Sequence, residues 1–159
     1  MLSDTSSLID QLLYLVDELG AQRPFFERIS ESILSERPPD GPSIRDLYDE
    51  MLIREQRFSI SVIEYSTRAR STGSESPIQS DPEAEIATID ELLSGIMAAR
   101  SENVAAMPDP DSNDWNKDII VDGNSATLLE RAYHLALSDA DTLRAISTQL
   151  SEIRMLFRQ

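Results

Sequence analysis

Apolar residues recur along this chain at helical spacing, in four separate stripes. The first holds Leu8, Leu12, Leu15, Leu19, Phe26, Ile29 and Ile33, with steps of three, four or seven. It keeps its phase across Gly20 and Pro24, which predicts one kinked helix over Thr5–Glu36. Arg37-Pro-Pro-Asp-Gly-Pro42 follows as a loop. Ser43-Ile-Arg-Asp46 then reads as a capping box, with Asp in place of the usual Glu. It opens a second helix striped by Ile44, Leu47, Met51, Phe58, Val62 and Tyr65. The step from Met51 to Phe58 leaves a gap where Arg54 or Glu55 must face inward.

Residues 71–82 lack periodicity and predict a polar linker, with Asp81 and Pro82 placed to start the next helix. That third helix carries Ile86, Ile89, Leu93, Ile96, Arg100, Val104 and Met107, and Thr88 with Glu91 offers an alternative capping box at its start. Residues 108–124 form a long loop rich in Pro, Asp and Asn, with Trp115 expected to anchor it over the end of the helices. The fourth helix is expected from Ser125 towards Phe157, with Thr127 and Glu130 as a capping box. Its stripe is Leu128, Leu135, Asp139, Thr142, Ile146, Leu150, Ile153 and Leu156. No segment reads as a strand. Four helices with one apolar stripe each predict an all-α four-helix bundle in a single domain, 1–159, stabilised chiefly by burial of the stripes.

The composition fits that picture: 40% of the 159 residues are hydrophobic and 27% charged. The 29 acidic and 14 basic residues give a net charge of −15. Such a charge repels nucleic acid and anionic membrane surfaces, so neither is expected as a partner, whereas a basic protein partner is compatible with it. The N-terminus has no basic segment before its apolar residues and no run of 18 apolar residues occurs, so a cytoplasmic protein is expected. Without cysteine there is no thiolate chemistry, and one histidine cannot build a His-rich metal site.

No phosphate loop, dinucleotide fingerprint, zinc-protease or nucleophile-elbow motif is present. The acidic loop also lacks the spacing of a calcium-binding EF-hand. The informative residues are polar ones on otherwise apolar seams. Glu50 stands four before Arg54 and His134 four before Ser138, while Ser138 stands four before Thr142, with Asp139 between them. Glu50, Arg54, His134, Ser138, Asp139 and Thr142 are therefore a candidate pocket for a small-molecule ligand. The same residues would equally serve as a buried hydrogen-bonded network.

Four features carry a resemblance: the Ser-led helix SIRDLYDEMLIREQRF, the segment IDELLSGIMAARSENVAAM, the loop NDWNKDIIVDGN and the helix SATLLERAYHLALSDADTLRAISTQL. Over nearly its whole length the chain resembles the DinB/YfiT-like superfamily of four-helix-bundle putative metalloenzymes. The resemblance implies an up-down-down-up bundle and a homodimer. It also implies a three-histidine metal site at the positions held here by Glu50, Ser138 and Thr142. Hydroxyl oxygens are poor neutral ligands for zinc or nickel, so no metal and no cofactor is expected. The expected function is a non-catalytic binding or interaction module. The alternative is an enzyme of the family's metal-dependent or thiol-dependent transferase or isomerase type. Its rebuilt site would use Glu50 as general base and Arg54 as anion clamp, and a displaced metal site of Glu50, His134 and Asp139 is a further arrangement.

Overall fold

The computed structural model describes residues 2–70 and 88–157, with side chains over 5–65 and 88–153. The expected linker 71–82, the helix start at Asp81 and Pro82, and Ile86 lie outside the described residues. The protein is mostly helical: α1 (Leu2–Phe26), α2 (Glu31–Leu34), α3 (Ile44–Arg70), α4 (Ile89–Ala105) and α5 (Leu128–Phe157). Among the described residues no helix is long and apolar enough to cross a membrane.

The first apolar stripe is split between two helices. Pro24 lies within the last turn of α1, where it has no N–H to offer the Gly20 carbonyl and its ring crowds that carbonyl. The helix ends two residues later. Ser30 then starts α2 afresh, its hydroxyl accepting from the Ile33 amide. The expected single kinked helix over Thr5–Glu36 is therefore two helices.

Three capping devices hold the other starts. The Asp46 amide donates to the Ser43 hydroxyl and the Ser43 amide to the Asp46 carboxylate, both at 3.0 Å. Thr88 caps α4 by accepting from the Glu91 amide at 3.2 Å. Thr127 and Glu130 form the reciprocal pair at the start of α5. Helix α5 thus begins at Leu128 rather than Ser125, because Ser125 belongs to a strand.

That strand is the second departure from the all-helical reading. Asp118–Val121 (β1) and Asn124–Thr127 (β2) form an antiparallel hairpin that pairs Ile119 with Ala126 and Val121 with Asn124. Its two-residue turn is Asp122-Gly123, with φ of 52° and 81°. Two positive φ angles twist the turn to match the strands, and Asp-Gly is a sequence suited to it. The hairpin is preceded by a 3₁₀ turn over Asn113–Asn116 that buries Trp115, whose indole N–H donates to the Asp109 carbonyl at 2.9 Å.

Contacts fix the directions of the long helices. Gly20 of α1 faces Met97 of α4, whereas Leu12 lies farther along at Arg100, so α1 and α4 run antiparallel. On α3 and α4, Leu52 meets Gly95, Glu55 meets Arg100 and Ser59 meets Asn103, so these two are parallel. Arg54 meets Thr142, and Pro42 at the foot of α3 meets Gln149, so α3 and α5 are antiparallel. Helix α1 packs on α4 and α5, and α3 packs on the same two.

The apolar interior is in two parts. One gathers Leu15, Leu19, Met51, Ile96 and Ile146; the other gathers Leu8, Leu12, Phe58, Trp115, Leu128 and Leu135. On each helix the boundary falls at the same level: between Leu12 and Leu15, Met51 and Phe58, Ile96 and Val104, and Leu135 and Ile146. Charged side chains fill that level.

Candidate functional site

The level between the two apolar clusters is a buried charged layer. Arg100, with no solvent exposure, donates from Nε to Glu55 Oε1 at 2.8 Å and from Nη2 to Glu55 Oε2 at 2.7 Å. Its Nη2 also reaches Asp139 Oδ2 at 2.6 Å, and its Nη1 the Leu12 carbonyl at 3.0 Å. Asn103 Nδ2 donates to Glu55 Oε1, and its Oδ1 accepts from the Ser59 hydroxyl, each at 3.0 Å. Arg54 completes the layer from α3. Its Nη2 stands 3.8 Å from Asp139 Oδ1 and donates to Thr142 Oγ1 at 2.6 Å. The Thr142 hydroxyl in turn donates to the Ser138 carbonyl at 2.9 Å.

Two carboxylates and two guanidiniums neutralise one another, which burial requires. Desolvation alone would lower the Arg100 value, but Glu55 and Asp139 together outweigh it, so Arg100 is raised and stays charged. Burial raises Asp139 above the ordinary carboxylate range, against the pull of Arg100. Its Oδ1 has no hydrogen bond, and the nearby Glu55 charge adds to the rise.

The layer divides the six residues expected to form one pocket. Asp139 and Thr142 are buried within it, with Arg54 at its margin. His134 is exposed and Ser138 half-buried; both lie beside a groove. Glu50 is exposed and joins neither. The reason is angular. A helix turns about 100° per residue, so Glu50 points about 100° away from its neighbour Met51 on the core face, whereas Glu55 returns to within about 40° of it. The inward ion pair is therefore Glu55–Arg100 rather than Glu50–Arg54. Arg100 and Glu55 lay outside the expected pocket, yet each carried a signal in the sequence: Arg100 stands on an apolar stripe and Glu55 at the gap in another.

These positions do not fit a divalent metal. The Arg54 guanidinium, itself a cation, occupies the Thr142 hydroxyl, and the Ser138 side chain offers only a neutral oxygen. Asp139 is taken by Arg100, so Glu50, His134 and Asp139 form no displaced site either. Among the described residues no group of three or more His, Cys, Asp or Glu side chains is placed to hold a metal ion.

The groove lies between α3 and α5 and has a volume of about 260 Å³. Helix α3 lines it with Arg54, Arg57, Phe58 and Ser61, and α5 with Arg131, His134, Leu135 and Ser138. Arg131 is held in place by the hairpin: its Nη2 donates to the Ile119 and Asn124 carbonyls at 3.2 and 2.9 Å. The Nε–H groups of Arg54 and Arg131 have no acceptor.

Comparison of the chain with protein-family models, with curated proteins and with solved structures gives no match.

Proposed function

We propose that this chain is a non-catalytic binding module built on an up-down-down-up four-helix bundle of the DinB/YfiT-like type. In this reading it has set aside the metal site of that type. The order and directions of the long helices support the architecture. The observation that carries the functional part is the 2.6 Å contact between Arg54 Nη2 and Thr142 Oγ1. A fixed cation on that oxygen opposes a second, divalent one at the same place. Glu50, the general base of the enzyme alternative, is exposed and absent from the groove that Arg54 lines. The groove between α3 and α5 is then the binding site.

Elemental analysis of the purified, dialysed protein tests the reading. Less than a tenth of an equivalent (about 0.1) of zinc and nickel is expected, because a site lacking a second strong ligand exchanges its metal during dialysis. One tightly held equivalent, lost on Glu50→Ala or His134→Ala, overturns it.

A further inference from the structure

We infer that the groove between α3 and α5 binds a small phosphate-class oxyanion, such as a phosphate monoester of a small molecule. The inference rests on the binding-module reading and adds the ligand chemistry. Its first support is where unpaired positive charge lies. In a chain with a net charge of −15, arginines are drawn to carboxylates. Among the described residues Arg23, Arg37, Arg45, Arg54, Arg100 and Arg144 each face one. Arg28, Arg57 and Arg131 do not, and the last two line this groove with Arg54 and His134, while no carboxylate lines it.

The second support is the donor chemistry of the lining: three guanidiniums, from Arg54, Arg57 and Arg131, border the groove. Guanidinium groups match phosphate oxygens in geometry as well as charge, and Ser61 on α3 and Ser138 on α5 add hydroxyl-bearing side chains to the lining.

Size and field then narrow the source. At about 260 Å³ the groove is smaller than the roughly 300–1,000 Å³ typical of drug-sized ligands. It accepts a phosphate head with a short body against Phe58 and Leu135. A nucleic acid or an anionic membrane would bring many charges against the remaining acidic surface and be repelled.

The test is titration of inorganic phosphate into the full chain, with ionic strength held constant by chloride. The Nε–H resonances of Arg54 and Arg131 are followed by NMR. Saturable shifts at both are expected. The exposed pair Arg57→Gln/His134→Gln should leave the melting temperature unchanged and weaken phosphate binding by about tenfold, the loss of one charge-assisted contact. Absent or non-saturating shifts, or unaltered affinity in the double variant, overturn the inference. So does a DNA duplex or an anionic phospholipid vesicle binding more tightly than phosphate at equal salt. Should a neutral compound saturate the groove where phosphate does not, the phosphate assignment falls and the binding-module reading stands. An equivalent of tightly held metal removes that reading whatever phosphate does.

Discussion

Glu55 and Arg100 meet fork to fork across α3 and α4, through two hydrogen bonds of 2.8 and 2.7 Å, and neither side chain touches solvent. The same guanidinium serves Asp139. Arg100→Met therefore strands two buried carboxylates and should cost about 3–5 kcal/mol in urea unfolding. The triple replacement Glu55→Met, Arg100→Met and Asp139→Leu should recover most of that loss, since it removes the desolvated charges together. If the triple variant is as unstable as the single one, the cost comes from packing and not from stranded charge.

Two carboxylates should shape the stability profile with opposite signs. Asp46 is bonded by Arg37 and by the Ser43 amide, which holds its value at about 2, below the ordinary 3.8. The stability this gives is present above 3.8 and is lost as pH falls towards 2. Asp139 has the opposite sign: burial raises its value, so its contribution is full below 3.8 and declines as pH rises through the raised value. Urea midpoints measured against pH should show Asp46→Asn losing part of the acid-side fall, and Asp139→Asn losing part of the decline above pH 3.8. A wild-type slope retained in Asp139→Asn would refute the second assignment.

Gly123 holds φ at 81°, a left-handed conformation that a side chain strains. Gly123→Val should destabilise the hairpin by about 1–2 kcal/mol, whereas Asp122→Gly should be tolerated. Amide hydrogen exchange over 118–127 reads this directly. The Arg131 Nε–H resonance should broaden in step, because the hairpin carbonyls hold that side chain. Faster exchange in Asp122→Gly than in Gly123→Val would contradict the turn geometry.

The helical part of the fold was legible because burial and the 3.6-residue period act through the same positions. Leu8, Leu12, Leu15 and Leu19 all lie on the stripe, and all are buried. The capping boxes at Ser43 and Thr127 were legible because each is a local exchange of hydrogen bonds within four residues. The hairpin was also present in the sequence, in Asp122-Gly123 after Ile119, Ile120 and Val121. Ser125, a residue type equally suited to start a helix, lies in its second strand, so the local signals compete there. The charged layer was half legible. Arg100 stood on its stripe, and a gap called for Arg54 or Glu55, but which carboxylate meets which guanidinium depends on how four helices are rotated. Arg57 and Arg131 show no local pattern at all. Their convergence exists only once α3 and α5 lie antiparallel.

The charged layer also acts as a ruler. Helices α3, α4 and α5 place charged side chains at one height, so each of these three has a single longitudinal setting at which its donors and acceptors meet. Slipping α4 by one turn, about 5.4 Å, would carry Arg100 out of reach of Glu55 and into leucine and isoleucine side chains. Leucine-on-leucine contacts alone tolerate such a slip far better, since one apolar layer resembles the next. The two clusters of this protein supply cohesion, and the ions between them fix which of several near-equivalent stackings is adopted.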